Sequence, residues 1–410
     1  MRQILVSIDI GTSKICTLIS EFNGNGELEI LGKGISEYDG MKKGFISNIE
    51  YTSKIIKKTI NQAEEMSNTK VYSAYVGISG VDVEIFDNNF SIEIDNEKKE
   101  ITKRDIEKLQ IITKAVRVPK GTQIIDVIPK CYIVNRKIAV NDPIGMVGSI
   151  LEMEADIVVG NSTIIGNIAK SVELAGLKVD DLIIEALSHG DSLIYEEERN
   201  KGSLIIDVGG SITNLAVFKD DNLIYFTSIP IGGKHISNDI SVGCDISFNE
   251  SEKLKKKLDK NYSTIENTNE EIILMDNKTN EEKNIKLFLI KEIVEARIDE
   301  IFCMCKENLI DAGMSENYIS SVILTGRGIS HIDMGKQICS DIFNVPVRIA
   351  SGRQINIDSV EFFSAAGISK YIYESIENDY GSNIILDYKP KKNTFSIIRW
   401  FMRLITGILK

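Results

Sequence analysis

The sequence predicts an α/β fold of two similar lobes, and three observations support the prediction. Residues 206–217, IDVGGSITNLAV, read as a strand, a tight glycine-containing turn and a second strand. The same design opens the chain as IDIGTSKICTLI at 8–19. Each copy is followed by a further strand pattern, ELEILGKGIS at 27–36 and NLIYFTSIPIGG at 222–233. Helical patterns intervene. In YTSKIIKKTINQAEEM, 51–66, Ile55, Ile56, Thr59, Ile60 and Ala63 share one face.

The turn residues carry a chemistry. Gly209 and Gly210 have no Cβ, so the backbone can turn sharply and offer N–H groups to an anion, with Ser211 and Thr213 as hydroxyl donors. Asp207 ends an apolar strand, where a carboxylate suits a hydrated magnesium ion better than packing. The first copy supplies Asp9, Gly11, Thr12, Ser13 and Lys14 in the same order. One such turn alone reads equally as an ordinary hairpin. Two facing copies would hold a polyphosphate between two lobes. The pair resembles the motifs of the actin-like ATPases, which duplicate a ribonuclease-H-like domain, and the resemblance implies ATP and Mg2+ as ligands.

Length and composition limit the alternatives. The 410 residues suffice for two to four domains, and the net charge of −12 argues against nucleic-acid binding, which needs basic surface. Cysteines at 16, 131, 244, 303, 305 and 339 show no paired metal-ligand spacing, and His189, His235 and His331 read as surface or turn residues. No apolar run follows Met1, so no signal peptide and a reduced, cytoplasmic setting are expected.

In chain order, residues 1–82 and 161–200 are expected to form the first lobe. Between them, FSIEI, the helix pattern TKRDIEKLQIITKAV and the strands TQIIDVIPKCYIV and SILEMEADIVVG make a small α+β unit at 83–160. VGISG followed by such a unit resembles FtsA, the bacterial cell-division actin homologue, and its relative PilM of type IV pili. By that resemblance Glu185, at a strand-to-helix junction, orients the water attacking the γ-phosphate, with Asp207 beside it; a solvated helix-start glutamate is the plain alternative. IPIGGKHISNDIS resembles the FtsA stretch at the same place, which implies that Gly232 and Gly233 tighten the backbone near the nucleotide; Glu252 and Lys255 match FtsA positions that reach the nucleoside, a solvated charged face being the plain alternative.

The second lobe is expected at 201–242 and 304–377, with an outer subdomain at 243–303. In VILTGRGISHIDM, a buried strand runs into Gly326 and Gly328, where close backbone approach covers an adenine ring or ribose. Arg327 stands where the family usually has another glycine, so it either stacks on the base or crowds the pocket. The small residues Ala365, Ala366 and Gly367 of SVEFFSAAGISKYIYE permit a helix to pack closely against residues 185–195 as a hinge.

A polar linker at 378–393 precedes FSIIRWFMRLITGILK. On a helix, Ile397, Ile398, Trp400, Phe401, Leu404, Ile405 and Ile408 fill one broad face, while Arg399 and Arg403 lie on a narrower polar arc. Sixteen residues reach only about 24 Å, and a central arginine costs about 2.5 to 3.5 kcal/mol in a bilayer, so a span is disfavoured; a core helix is the other alternative, and the lysine-bearing linker with a Trp-bearing cationic helix suits a membrane-surface helix at 394–410 better. The resemblance to FtsA then implies self-association into protofilaments on the cytoplasmic face of the membrane at the division site. It also implies docking of the FtsZ C-terminal peptide on the outer subdomain, where Lys253, Lys255, Lys256 and Lys257 either attract an acidic peptide or merely solvate a helix. The alternative is a PilM-like scaffold or a nucleotide-binding protein without turnover.

Overall fold

The computed structural model describes residues 4–257, 270–275, 282–314, 318–329 and 333–380. They fall into two compact units, one built from the chain up to Gly80 and again from Lys170, the other from Val81–Ala169.

The first unit begins with β1 (Leu5–Ile10), β2 (Lys14–Phe22) and β3 (Leu28–Glu37), followed by a short hairpin of β4 (Met41–Lys42) and β5 (Phe45–Ile46), helix α1 (Ile49–Ser67) and β6 (Ser73–Ile78). Asn48 caps α1 by accepting from the Tyr51 N–H, and Asn68 ends it in the left-handed region at φ 51°. Buried Ile56, Ile60 and Ala63 form its inner face.

The second unit is an antiparallel sheet of β7 (Val83–Glu93), β8 (Thr122–Val134), β9 (Ile138–Val140) and β10 (Ile150–Asn161), in the order β7-β10-β8-β9. Helix α2 (Lys103–Thr113) packs against it, started by a capping box in which the Asp105 carboxylate accepts from the Thr102 N–H. Ile94, Leu109, Val134, Leu151 and Met153 form its core. Across β7 and β10, Asp87 pairs directly with Asp156, and Lys130 binds both carboxylates, at 2.8 Å to Asp156.

From α3 (Ser162–Leu174) the chain returns through β11 (Lys178–Ile184), α4 (Glu185–Leu193) and α5 (Glu196–Lys201) to β12 (Ser203–Val208), β13 (Thr213–Lys219) and β14 (Asn222–Ile229). Helices α6 (Gly233–Cys244) and α7 (Phe248–Lys257) lead to the hairpin β15 (Glu271–Met275) and β16 (Glu282–Lys286) and the long helix α8 (Leu287–Asp311). Then come β17 (Ser321–Thr325), α9 (Asp333–Phe343), β18 (Val347–Ile349) and α10 (Phe363–Tyr380).

The two large sheets have one topology. The first runs β11-β6-β1-β2-β3, the second β18-β17-β12-β13-β14. In both, the central strand (β1 or β12) is antiparallel to the next strand in the chain (β2 or β13) and parallel to its other neighbour (β6 or β17). The duplicated motif therefore marks a duplicated lobe. The segment expected as an outer subdomain shares the second lobe's core: Leu254, Ile285, Ile290, Val294 and Ile298 pack in one cluster with Leu204, Val217 and Leu324. Phe302 of α8 is the largest fully buried side chain among the described residues, and burying such a residue contributes about 1.5–3 kcal/mol.

Helices α4 and α10 pack on each other as the small residues predict. A Cβ on Gly367 would lie 2.6 Å from the Ser188 carbonyl oxygen, so only glycine permits this approach. Among the described residues no helix is long and apolar enough to cross a membrane. The chain from 381, with most of the expected linker and the whole 394–410 helix, lies outside the described residues, as does His331.

Candidate functional site

Both duplicated turns are hairpins closed the same way. Gly11 N–H donates to the Lys14 carbonyl at 3.0 Å, and Gly209 N–H to the Ile212 carbonyl at 2.9 Å. They face each other: the Ser211 N–H donates to Thr12 Oγ1 at 2.9 Å, and Lys234 Nζ reaches the Thr12 carbonyl at 2.8 Å. A Cβ on Gly210 would sit 2.8 Å from the Ser13 Cβ, which leaves the Gly210 backbone bare toward the opposite turn.

Behind the turns lies a cavity of about 70 Å³ lined by Asp9, Gly11, Thr12, Ser13, Lys14, Glu185, Asp207, Gly209, Gly210, Gly326 and Arg327, together with His189 and Asn214. Lys14 Nζ donates to Asp9 Oδ2 and to the Glu361 carbonyl, each at 2.6 Å. Burial opposes its charge, yet the neighbouring Asp9 holds the ammonium above the ordinary lysine range. Asp9 is therefore already neutralised by Lys14, whereas Asp207 makes its bond with the Asn214 amide at 3.3 Å.

Glu185, the first residue of α4, is buried, and its pKa lies well above the glutamate range. Burial is the main cause, and repulsion from Asp9 and Asp207 adds to it. Asn214 Nδ2 also donates to Glu185 Oε2 at 3.4 Å, while its Oδ1 accepts from the Ser228 hydroxyl, which orients the amide. His189 is 3% exposed and bonded to Ser364 at 3.1 Å, and burial keeps its ring neutral.

A second, larger cavity of about 530 Å³ adjoins the first, sharing Ser13, Gly210 and Arg327. Its walls include Gly233, Gly328, Glu252, Lys255, Tyr38, Tyr51 and Phe248. Lys255 is buried, donating to the Gly233 carbonyl at 2.8 Å and to Glu252 Oε1 at 3.0 Å. The backbone is compressed here. Gly326 has φ +93°, and a Cβ on it would lie 2.3 Å from Asp207 Oδ1. The small cavity suits phosphates beside carboxylates, and the large one suits a nucleoside. Among the described residues no three His, Cys, Asp or Glu side chains form a metal cage.

Residues 204–367 match the family model for the cell division protein FtsA, and residues 80–159 match the SHS2 domain inserted in FtsA. The cell division protein FtsA of Bacillus subtilis (strain 168) is 32% identical over 370 residues, covering 90% of this chain and 83% of the relative. The chain belongs to the FtsA family.

FtsA of Borreliella burgdorferi is 30% identical over 412 residues, covering 98% of this chain and 99% of that one. Among solved structures, the PilM-PilN type IV pilus biogenesis complex matches with a TM-score of 0.60 at 12% identity, covering 89% of this chain and 97% of that one. MreB5 of Spiroplasma citri bound to ADP matches with a TM-score of 0.52 at 16% identity, covering 93% and 99%. The fold is that of the actin-like ATPases, with the SHS2 domain inserted in the first lobe.

The geometry revises five expectations for this FtsA-family chain. Thr213 lies buried in β13 and its hydroxyl donates to the Ile231 carbonyl at 2.8 Å, so it closes the strand end rather than facing a phosphate. Lys255 points inward, and Lys253 pairs with Glu250 at 2.7 Å, which divides the expected lysine patch. Arg327 lines both cavities, and its Nη2 binds Glu37 Oε1 of the first lobe at 2.8 Å, a pairing the sequence reading did not foresee. His189 is a core residue because α4 and α10 cover it, not a surface residue. Gly232 packs against the Gly209 carbonyl and lines neither cavity.

Asn214 escaped the sequence reading, although the motif held a signal for it. It pairs with Asp207 across the hairpin as Cys16 pairs with Asp9, a position where a polar residue on an otherwise apolar strand needs a reason.

Proposed function

We propose that this FtsA-family protein binds Mg-ATP between its lobes, assembles into actin-like protofilaments, and tethers FtsZ to the cytoplasmic face of the membrane through residues 394–410. The observation that carries the nucleotide reading is the pair of facing turns, joined at Thr12 and Ser211 in front of Asp9, Asp207 and Glu185.

In this reading the N–H groups of the two turns, Ser13 and Lys14 hold the phosphates, and Asp207, the carboxylate without a lysine partner in the cavity, holds the water shell of Mg2+. Glu252 and Lys255 flank the nucleoside. The magnesium ion would neutralise phosphate charge. Burial, with Asp9 and Asp207 adding repulsion, raises the pKa of Glu185 well above the glutamate range, which suits a group that positions water beside the phosphates. Membrane attachment rests on the amphipathic pattern at 394–410. Reversible attachment by one short helix favours a polymer, since each subunit then raises the effective concentration of the next.

Liposome flotation tests the reading. The full chain with ATP is expected to float with anionic vesicles and bring FtsZ along, and a chain ending at Asn393 is expected to do neither. Equal flotation of both chains would remove the anchor. Recruitment of a pilus protein in place of FtsZ would favour the PilM-like scaffold.

A further inference from the structure

Arg327 belongs to the second lobe, and its backbone has no freedom to move alone. Gly326 abuts Asp207 and Val208, and the Gly328 N–H donates to the Val208 carbonyl at 2.8 Å, so the residue between them is pinned to the second phosphate turn. Its side chain crosses the cleft. The guanidinium binds Glu37 at the end of β3 at 2.8 Å and faces Glu361, just before α10, at 3.9 Å. It also lines both cavities, so it stands at their junction. Lys234, Lys255 and Lys256 line the larger cavity beside it.

We propose that the Arg327–Glu37 pair, backed by Glu361, is a latch that holds the lobes closed over the cleft and sets the rate of nucleotide exchange. The proposal rests on the nucleotide reading above and adds a release step to it. In this reading the nucleotide leaves between the lobes, which the contacts of Ser211 and Lys234 with Thr12 also join. Glu37 is 74% exposed and Arg327 24%, so the pair is partly hydrated. Partly exposed pairs are modest and salt-sensitive, which makes the latch reversible.

The test uses the full chain. Dissociation of a fluorescent ADP analogue is measured by stopped flow, and the distance between spin labels on exposed Lys43 and Val242 reports lobe separation without nucleotide. Arg327→Ala and Glu37→Ala are each expected to speed dissociation about two- to fivefold and to lengthen the mean distance. The double variant should match either single one. Raised salt should speed the wild type more than the variants. Unchanged dissociation and distance in Glu37→Ala, or additive effects in the double variant, would overturn the latch. Failure of the wild type to bind the analogue would remove the nucleotide reading, while the spin-label distances would still decide whether the latch closes the lobes.

Discussion

The Thr12 hydroxyl accepts a hydrogen bond from the Ser211 N–H at 2.9 Å, joining the first turn of one lobe to the first turn of the other across 199 positions of sequence. Each turn thus completes its partner, and a polyphosphate inserted there would replace Thr12 as the acceptor. The Ser211 donor already points at the place where such an anion would lie.

Substituting Asp207→Ala is expected to weaken Mg-dependent ATP binding at least tenfold, or about 1.4 kcal/mol, because no lysine neutralises this carboxylate and the magnesium shell depends on it. Folding should change little, since the side chain bonds only to the Asn214 amide at 3.3 Å among the contacts described. Calorimetry with and without Mg2+ checks this, and unchanged affinity would sink the assignment.

Glu185→Gln is expected to stabilise the chain at neutral pH. The folded state raises this pKa, so above the ordinary glutamate range the native chain keeps a proton that the unfolded chain has lost. Stability then falls as pH rises, by about 1.4 kcal/mol per unit within the window. Thermal melts at pH 5 and pH 8 should show a larger gain for the variant at pH 8. An equal gain at both would mean that Glu185 is ionised in the fold.

Gly326→Ala should destabilise the chain and abolish nucleotide binding together, because a Cβ at φ +93° would meet Asp207 Oδ1 at 2.3 Å and the Val208 carbonyl at 2.4 Å. The left-handed backbone alone costs about 1–3 kcal/mol. Gly24→Ala is the control, as its Cβ would meet nothing within 4 Å. Differential scanning fluorimetry should separate the two by several degrees, and equal melting points would contradict the compressed backbone.

In the inserted domain, burial raises Asp156 to about 6, with Lys130 pulling the other way and Asp87 adding to the rise. A carboxyl protonated in the fold and ionised in the unfolded chain loses stability as pH climbs from about 4 to about 6. Nuclear magnetic resonance titration should find a midpoint near that upper value, and Asp156→Asn should flatten the pH dependence over the window. A midpoint in the ordinary aspartate range would show that Lys130 dominates.

The two-lobed plan was legible in the sequence because a glycine turn after an aspartate-ended strand is local chemistry, and two copies with the same following strands imply one topology twice. Period-2 and helical patterns likewise placed α1 and the inserted sheet, since periodicity decides which face of an element is buried, while the junction at Glu185 was singled out by the family resemblance. Which partner a polar side chain takes is a different matter. Arg327 finds Glu37 across 290 positions, Lys255 folds back onto the Gly233 carbonyl, and His189 is sealed where α4 crosses α10. Each of these looks like an ordinary surface or site residue when only its neighbours in sequence are known. Burial and pairing depend on elements brought together by the tertiary fold, and the energy of a charge or hydroxyl is set by that environment rather than by local pattern. Thr213 and Asn214 make the same point one residue apart: alternation along β13 turns one hydroxyl into the core and the next amide toward Asp207 and Glu185, and only the packed lobes decide which of them meets the chemistry.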